Sequence, residues 1–403
     1  MYISRTLESK ILQYNKQFKV VALMGQRQIG KTTLLKNIAE KNRKYITLDE
    51  PDTLLLAKTD PKLFFEKNKP PLFIDEIQYA PELFPYIKMI VDENKKNGLF
   101  WLTGSQHFNL MKNVTESLAG RVCIIDMLGL SLYEIQQIAR KQKPFLPSDN
   151  VSTNLKKTNL NKLYEIIWTG SFPEIIINKK IDRTRFYESY IKTYIERDVT
   201  QIVNVGKKLS FFKFLKVVAA RTAQELNITD IARDTDIAPN TAKEWLSILQ
   251  TSGVIYLLYP YFANITKRVI KTPKLYFTDT GLCSYLTAWN SPQVLENGAM
   301  SGAILETFVV MEILKSYWHN GKEPNMYYYR DKEKKEIDLI FDRGEGFYPV
   351  EIKKSMTINK DMIKNFSVLK NYKKEIKKGA VICLAKDWLP INKDVNAISL
   401  WNI

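Results

Sequence analysis

Residues that commonly carry metal or redox chemistry are scarce in this chain of 403 residues. It contains two histidines, His107 and His319, and three cysteines, Cys123, Cys283 and Cys383. The cysteines are far apart and lie in apolar surroundings, so their spacing fits neither a disulfide framework nor a metal site. The shortage of histidine also argues against a His-based zinc site. The composition therefore favours a protein of a reducing compartment.

Signals for export or membrane insertion are lacking as well. The stretch from Met1 to Arg5 does not have the basic-then-apolar layout of a signal peptide. No apolar run approaches the roughly 20 residues that a membrane-spanning helix needs. We therefore expect a cytoplasmic protein that has no membrane partner.

The charge of the chain is unbalanced towards the basic side. Its 60 Lys and Arg residues against 43 Asp and Glu residues give a formal net charge of +17. This balance favours a polyanionic partner, although a lysine-rich surface that is merely solvated gives the same count. An apolar content of 45% is ordinary for a globular protein. The length allows about two to four domains with cores of their own.

The most specific motif is a phosphate-binding loop near the N-terminus. Residues Gly25 to Thr32 read G-x-x-x-x-G-K-T. An apolar run at 20–24 predicts a buried strand before the loop, and a helix-forming stretch at 33–40 follows it. This strand–loop–helix context is the one in which the motif binds nucleotide phosphates. The residues expected to bind ATP here are Gly25, Gln26, Arg27, Gln28, Ile29, Gly30, Lys31, Thr32 and Thr33.

The residue types of the loop explain its chemistry. Glycines at 25 and 30 let the backbone curl, so that successive N–H groups point at a phosphate. The N-terminus of the following helix adds partial positive charge at the same place. Lys31 is expected to reach the β- and γ-phosphates, and the Thr32 hydroxyl is expected to ligate Mg²⁺.

A second strong signal, within residues 71–78, is an apolar strand that ends in Asp75 and Glu76. Asp75 is expected to hold Mg²⁺ through water, and Glu76 to orient and deprotonate the attacking water. Two acids at the end of a strand are common on their own, but they are specific after a complete phosphate loop. The adjacent glutamate favours a hydrolase over a nucleotide kinase or a G-protein-like switch.

Two further positions are candidates for sensing the γ-phosphate. The buried strand predicted at 99–103 ends in polar residues, and Ser105 or Thr103 is placed to contact the nucleotide; the alternative for Ser105 is a helix N-cap. Arg121 precedes another predicted strand. It is a candidate arginine finger, acting in its own site or across a subunit interface, and the alternative is a surface arginine.

Several segments carry a pattern beyond these motifs. They are Leu102–Ser105, Ala119–Val122, Leu128–Glu134, Gly170–Glu174 and Tyr190–Asp198. Their combination resembles a family of prokaryotic AAA-type ATPases that carry a C-terminal domain of unknown function, and the resemblance covers nearly the whole chain. It implies an ATPase sheet with an extra strand between the phosphate-loop strand and the Asp75 strand. It also supports Ser105 and Arg121 as site residues.

The chain is interpreted as a multidomain α/β protein of four parts. Residues 1–130 are the AAA-type P-loop ATPase domain, and 131–205 are a helical lid and linker. Residues 206–262 are a winged-helix domain, and 263–403 are a restriction-endonuclease-like α/β domain.

The winged-helix segment contains a recognition-type helix at 240–250. In the DNA-reading mode, residues near the start of this helix face the major groove. The exposed candidates are Asn240, Thr241 and Lys243. Only one of them is basic, so a winged helix that serves to pack against protein remains equally open.

The last domain contains a group of charged residues on predicted strands. Side chains alternate along a strand, so Glu351 and Lys353 share one face, and Asp338 on the neighbouring hairpin strand approaches Glu351. Two carboxylates and a lysine in this arrangement can bind Mg²⁺ or Mn²⁺ and position a water for phosphodiester attack. The spacing resembles the restriction-endonuclease-like core, with Glu306 on the preceding helix as an additional acid and metal ligand. The alternative is that these residues are ordinary charged side chains, since strands with alternating charged residues are common.

The sequence thus predicts an ATP-hydrolysing protein that acts on nucleic acid, DNA rather than RNA, through a metal-dependent nuclease-like domain controlled by nucleotide state. The alternative is a regulatory ATPase whose C-terminal domain recognises a partner without cleaving it. A plain DNA-binding regulator that uses the winged helix is a third hypothesis. Assembly into a homo-oligomer is a further expectation.

Overall fold

A computed structural model describes the chain in five stretches. They are residues 2–104, 117–148, 154–194, 208–264 and 271–403. Ser105, one of the expected site residues, lies outside the described residues. Within these stretches, no helix is both long enough and apolar enough to cross a membrane.

The N-terminal part is built on a parallel sheet. The described residues contribute five strands to it: β1 Val20–Met24, β2 Lys44–Thr47, β3 Leu72–Asp75, β4 Phe100–Gly104 and β5 Val122–Asp126. Their order is β2-β3-β4-β1-β5. Strand β4 therefore lies between β1 and β3, which confirms the extra strand that the family resemblance implied.

Helices cover both faces of this sheet, as expected for a parallel sheet whose strands are apolar. They include α1 Glu8–Asn15, α2 Lys31–Ile38, α3 Pro51–Thr59, α4 Pro61–Lys67 and α5 Leu83–Glu93. All residues of β1, β3 and β4 are buried. Because the strands are parallel, the residues after β1, β3 and β4 meet at one edge of the sheet.

A group of helices follows the sheet. They are α6 Leu132–Ile135, α7 Leu160–Thr169, α8 Pro173–Ile177 and α9 Arg183–Tyr194. An aromatic cluster fixes α8 and α9 to each other, since the ring of Phe172 lies 4.9 Å from that of Tyr190 and 5.5 Å from that of Phe186. These helices lie within the segment for which the sequence predicted a lid, and we refer to them as the lid.

The described residues of 208–277 form what we call the three-helix unit. It contains α10 Lys208–Ala219, β6 Gln224–Glu225, α11 Ile228–Thr235, α12 Pro239–Thr251, β7 Ile255–Leu258 and β8 Lys274–Phe277. Strand β8 is the middle strand and pairs antiparallel with β6 and β7. The expected domain boundary at 262 is therefore wrong, because it would separate β8 from both strands that hold it.

Three more helices come next: α13 Thr280–Leu286, α14 Pro292–Asn297 and α15 Ser301–Trp318. Helices α13 and α14 pack against α7 of the lid. Residues 280–297 therefore belong with the lid and not, as expected, with the last domain. Helix α15 is apolar on almost all sides and is almost wholly buried, and it contacts α7, α13, α14 and β8.

The last domain is a mixed sheet within the continuously described residues 271–403. Its strands are β9 Met326–Arg330, β10 Glu336–Arg343, β11 Gly346–Ile352, β12 Gly379–Cys383, β13 Leu389–Pro390 and β14 Val395–Ser399. Their order is β13-β14-β12-β11-β10-β9. Strands β10 and β11 form the hairpin that the sequence predicted, with Leu339 opposite Val350.

One hydrophobic core joins these parts. A single cluster of buried apolar side chains runs from Leu7 and Val21 in the ATPase domain, through Trp245 in the three-helix unit, to Ile313 of α15 and Trp401 near the C-terminus. A second cluster lies on the other face of the ATPase sheet. The lid, the three-helix unit and α15 are thus packed as one continuous body against the ATPase sheet.

Candidate nucleotide site and carboxylate cluster

A cavity of about 840 Å³ lies at the edge of the sheet where the phosphate loop follows β1. The loop and the start of α2 form one wall, and the N-terminal segment and the lid form the others. The lining residues are Tyr2, Ile3, Arg5, Arg27, Gln28, Gly30, Lys31, Thr32, Thr33, Glu76, Leu130, Pro173, Glu174, Ile177, Phe186, Ser189, Tyr190 and Thr193. Phosphate-binding groups and aromatic side chains therefore face the same space, as a nucleotide requires.

The backbone of the loop depends on its two glycines. Gly25 has φ of +146°, and a Cβ atom there would lie 2.3 Å from the carbonyl oxygen of Met127. Gly30 has φ of +92° and directly precedes α2, which begins at Lys31. Lys31, Thr32 and Thr33, at the start of α2, line the cavity, where their backbone N–H groups can donate to a phosphate.

Lys31 is folded back onto its own loop. Its Nζ donates to the carbonyl oxygens of Gly25, at 2.8 Å, and Gln26, at 2.7 Å, and the side chain is 6% exposed. The ammonium is thus already dehydrated and held beside the phosphate position. Moving it to a phosphate oxygen exchanges two carbonyl acceptors for a charged one, which is a stronger partner.

Asp75 accepts hydrogen bonds from hydroxyl groups on three elements. It accepts from Thr32 Oγ1, at 2.9 and 3.0 Å, from Tyr45 OH, at 3.0 Å, and from Thr103 Oγ1. An all-oxygen set of one carboxylate and a P-loop hydroxyl suits Mg²⁺, which binds with few protein ligands and with phosphate oxygens. Thr32 and Asp75 are therefore the residues that would hold Mg²⁺ with ATP.

Glu76 lies beside this group in an unusual backbone conformation. Its φ of +56° is in the left-handed region, and its N–H donates to Thr103 Oγ1 at 3.3 Å. Its carboxylate accepts from the Gln78 amide and the residue lines the cavity. Thr103 therefore links both acids, and of the two candidates for the polar residue after β4 it is the one that the described residues place in the site.

Arg121 is far from its own phosphate loop. It precedes β5, and Val122 pairs with Val20 at the start of β1, whereas the loop follows the opposite end of β1. Its Nε lies 2.5 Å from Asp92 Oδ1 in an exposed ion pair. Action of Arg121 in its own site is therefore excluded in this arrangement, because the sheet lies between the two.

Arg5 is a residue of the cavity that the motifs did not reveal. It is 4% exposed and donates to the carbonyl oxygens of Ile29, at 3.0 Å, and Leu128, at 2.7 Å. Its Nε lies 3.1 Å from Glu134 Oε2. Arg5 therefore ties the phosphate loop to the segment after β5. No motif indicated Arg5 itself, although Glu134 lies in a segment that resembles the family.

Glu134 extends this contact to α15. His319, at the end of α15, places Nδ1 3.3 Å from Glu134 Oε1, and its Nε2 accepts from the N–H of Leu128 at 3.4 Å. Burial lowers the pKa of His319, which favours the neutral ring. Because Nε2 accepts from Leu128, the proton of the neutral ring lies on Nδ1, facing Glu134. Burial opposes the ionisation of Glu134, but the charge of Arg5 and the contact with His319 hold its pKa well below the usual range.

Gln26 connects the phosphate loop to the three-helix unit. Its Nε2 donates to the carbonyl oxygen of Gly253 at 2.6 Å and to Thr278 Oγ1 at 2.8 Å. Gly253 lies in the turn between α12 and β7, and Thr278 directly follows β8. The sequence assigned Gln26 to nucleotide binding, but its side chain binds this second unit and Gln26 is not among the residues that line the cavity.

The predicted charged group of the last domain comes together around the β10–β11 hairpin. Lys353 Nζ lies 2.6 Å from Glu351 Oε2 and 3.5 Å from Asp338 Oδ2, and the N–H of Ile352 donates to Asp338 at 2.8 Å. Burial, and then the neighbouring Asp338, raise the pKa of Glu351 to about 9. Burial raises the pKa of Glu306 to about 7. We refer to Glu306, Glu336, Asp338 and Glu351 as the carboxylate cluster.

A lysine that the sequence did not indicate occupies this cluster. Lys274 of β8 is 3% exposed. Its Nζ lies 2.5 Å from Glu336 Oε1, 3.1 Å from Glu306 Oε1 and 3.9 Å from Asp338 Oδ1. Burial works against the charged ammonium, but these carboxylates raise the pKa of Lys274 overall.

The expected Mg²⁺ or Mn²⁺ site in the last domain does not fit this arrangement. Among the described residues, no group of three or more His, Cys, Asp or Glu side chains is placed to hold a metal ion. The reason is visible at Glu306 and Asp338, which both face the Lys274 ammonium. The cluster as it stands already contains a cation, which is the ammonium of Lys274.

Family models match three parts of the chain. Residues 17–136 match an AAA domain. Residues 160–293 match a domain of unknown function, DUF8612, and residues 301–403 match another, DUF4143. The first match covers the parallel sheet and its phosphate loop, and the third begins with α15 and contains the carboxylates of β10 and β11.

Relatives and solved structures are similar over much of the chain. The uncharacterized proteins Mb2031c of Mycobacterium bovis and Rv2008c of Mycobacterium tuberculosis are each 29% identical over 341 residues, which is 84% of this chain and 71% of theirs. The uncharacterized protein MJ1637 of Methanocaldococcus jannaschii is 23% identical over 336 residues, 75% of this chain and 70% of its own. The Walker-type ATPase PABY2304 of Pyrococcus abyssi has a TM-score of 0.44 at 15% identity, and covers 71% of this chain and 96% of its own. The AAA-domain match, together with the geometry of the loop and of Asp75, identifies residues 17–136 as a P-loop ATPase domain of the AAA type.

Proposed function

We propose that this protein is an ATP-hydrolysing switch, in which the nucleotide at the phosphate loop controls the position of the three-helix unit and of the last domain. The observation that carries the proposal is the side chain of Gln26. It belongs to the loop, yet it donates to Gly253 and Thr278 of the three-helix unit. A nucleotide that rearranges the loop must therefore keep or break these two hydrogen bonds.

A second contact supports the same proposal. Arg5 binds the Ile29 carbonyl of the loop, and Glu134 joins Arg5 to His319 of α15. Helix α15 opens the last domain and carries Glu306. The loop is thus connected by buried polar groups to both parts that it would control, and buried polar contacts have discrete arrangements that a ligand can favour or disfavour.

Hydrolysis by this switch would use residues with separate tasks. Lys31 and the N-terminus of α2 bind the phosphates, and Thr32 and Asp75 hold Mg²⁺, which neutralises the phosphate charge. Glu76 orients and deprotonates the attacking water. Thr103 fixes Asp75 and Glu76 relative to each other, because its Oγ1 donates to the Asp75 carboxylate and accepts from the N–H of Glu76.

Replacing Gln26 by alanine is expected to uncouple the switch. In the wild type, ATP should change the hydrogen–deuterium exchange of residues 208–264, because the loop holds the three-helix unit. In Gln26→Ala this change should fall by at least about half, while ATP affinity stays within about threefold, since the side chain does not face the cavity. Exposed Gln293 on α14 offers a matched control, and Gln293→Ala should behave as the wild type. An unchanged ATP response in Gln26→Ala would contradict the proposal.

The partner that we propose is DNA. The order of helices and strands in the three-helix unit supports the winged-helix interpretation, with α12 as the recognition-type helix. Asn240 and Lys243 are exposed at its start, and Thr241 is half-buried. The net charge of +17 supports a polyanion. In a homo-oligomer, Arg121 would be available to a neighbouring subunit once it releases Asp92.

A second candidate function is metal-dependent cleavage of DNA by the last domain. It is favoured by the positions of Asp338 and Glu351, whose carboxylate oxygens lie 3.5 Å and 2.6 Å from Lys353 Nζ. Cleavage of plasmid and linear DNA should be assayed with Mg²⁺ or Mn²⁺, with and without ATP. Activity that is lost in Asp338→Ala would support this function. Absence of cleavage under all these conditions would leave the switch without nuclease activity.

A further inference from the structure

The two ends of strand β8 lie at two different sites, the carboxylate cluster and the phosphate loop. Side chains alternate along a strand, so Lys274, Tyr276 and Thr278 point to the same side of the chain, and about 13 Å separates the first from the last. Tyr276 OH donates to Glu306 at 2.7 Å, and Lys274 lies in the same carboxylate cluster. Thr278, at the other end, accepts from Gln26 of the phosphate loop.

The end of β8 at the phosphate loop is also attached to the lid. Asp279 follows Thr278, and its Oδ2 accepts from the N–H of Ser171 at 2.6 Å. Its Oδ1 accepts from Tyr187 OH of α9 at 2.9 Å. Both the loop and the lid border the nucleotide cavity. A change at that cavity therefore reaches β8 directly, without passing through other elements.

The opposite end of β8 places a cation, the Lys274 ammonium, among carboxylates. Glu306, Glu336 and Asp338 surround the Lys274 ammonium with side chains that are 18%, 29% and 9% exposed, so water screens their negative charge only in part and a cation among them is stabilising. Lys274 supplies it from outside the last domain, because β8 belongs to the sheet of the three-helix unit. A second cation within about 4 Å of the ammonium would be repelled by it.

We propose that Lys274 is the resident cation of the carboxylate cluster, and that it keeps divalent metal ions out for as long as β8 holds it there. Since β8 is attached to Gln26, we further infer that ATP regulates this occupancy. This second step rests on the proposed switch function. The first step does not depend on nucleotide.

The first step is tested by Lys274→Met, which keeps much of the length and removes the charge. Mn²⁺ binding to the full chain is measured by electron paramagnetic resonance without nucleotide. Lys274→Met should bind Mn²⁺ at least about tenfold more tightly than the wild type, and Lys274→Met combined with Asp338→Asn should lose that gain. Equal Mn²⁺ binding in the wild type and Lys274→Met would overturn the assignment.

Lys274→Met leaves buried carboxylates without a counter-charge, so its folding is followed in the same experiment. Thermal unfolding should show a lower Tm than that of the wild type without metal, and recovery of Tm when Mn²⁺ is added. The wild type should show no such recovery. If Mn²⁺ raises the two Tm values equally, or raises neither, Lys274 does not exclude a metal from this cluster.

The second step is tested by the reactivity of the Lys274 amine. Acylation of Lys274 is followed by mass spectrometry in Glu76→Gln, in which bound ATP is preserved. ATP should raise the labelling rate at least about tenfold, and the additional change Gln26→Ala should remove the increase. If Mn²⁺ binding follows the expectation but labelling does not respond to ATP, the regulatory step fails together with the switch, and the assignment of Lys274 as resident cation stands.

Discussion

Replacing Glu76 by glutamine lowers kcat for ATP hydrolysis by about 10²–10⁴-fold, the range for loss of a general base. The reason is that the amide keeps the size of the side chain but cannot accept the proton of the attacking water. ATP binding should change less than about threefold, because Lys31 and Thr32, the residues proposed to bind the phosphates and Mg²⁺, are untouched. Phosphate release and the binding of a fluorescent ATP analogue measure the two quantities separately.

Glu82 provides the control for this substitution. It is exposed at the start of α5, close to Glu76 in sequence but not in the lining of the cavity. Glu82→Gln should hydrolyse ATP at the wild-type rate. If Glu76→Gln also did so, the assignment of Glu76 as the base would be wrong and another group would have to activate the water.

Replacing Glu134 by alanine lowers the free energy of unfolding by about 3–5 kcal/mol, the usual cost of removing one partner of a buried ion pair. Glu134 is fully buried and accepts from the N–H groups of Thr6 and Ser131, both at 2.9 Å. Its loss leaves the Arg5 guanidinium buried without its carboxylate partner. Denaturant unfolding monitored by tryptophan fluorescence measures the change.

An exposed pair calibrates this effect. Lys162 and Glu165 form an ion pair at 2.7 Å in which both side chains are about half exposed, and such pairs contribute little. Glu165→Ala should therefore change the free energy of unfolding by less than about 0.5–1 kcal/mol. If Glu134→Ala were as mild as this control, the contact between the phosphate loop and α15 would be unimportant for the fold.

The lowered pKa of Glu134 also predicts how the free energy of unfolding depends on pH. The pKa of Glu134 is lowered in the folded state, so the folded protein binds fewer protons at this group than the unfolded chain does. Its stabilising contribution is therefore complete above the unfolded pKa, about 4.3, and is lost progressively as the pH falls below that value. Comparison of acid unfolding between the wild type and Glu134→Gln isolates this contribution.

Local motifs predicted which residues meet at the cavity beside the phosphate loop. The phosphate loop needs particular residues at fixed spacing, because glycine must supply positive φ at 25 and 30 and Lys31 must follow directly. Asp75 and Glu76 could be read from the end of a buried strand. The convergence of these segments followed from the rule that parallel strands place their carboxyl ends at one edge.

Contacts between distant parts of the chain could not be predicted in the same way. Lys274 enters a cluster whose carboxylates lie 32 to 77 residues later, and Gln26 bonds to Thr278, 252 residues away. Such pairs depend on how whole units pack against each other, and local sequence patterns do not predict that packing. Arg121 shows the opposite error, since a position that looks functional in sequence lies at the edge of the sheet away from the loop.

The continuous hydrophobic core limits the kind of motion that this protein can use. Units that share a core cannot swing apart on a hinge without exposing large apolar surfaces, so we expect shear, in which packed helices slide by about 1–2 Å. A slide of this size is enough to disturb the ion pairs of Lys274. An ion pair of 3.1 Å to Glu306 that lengthens by this amount passes beyond hydrogen-bonding distance, so a small displacement of β8 is enough to break this contact.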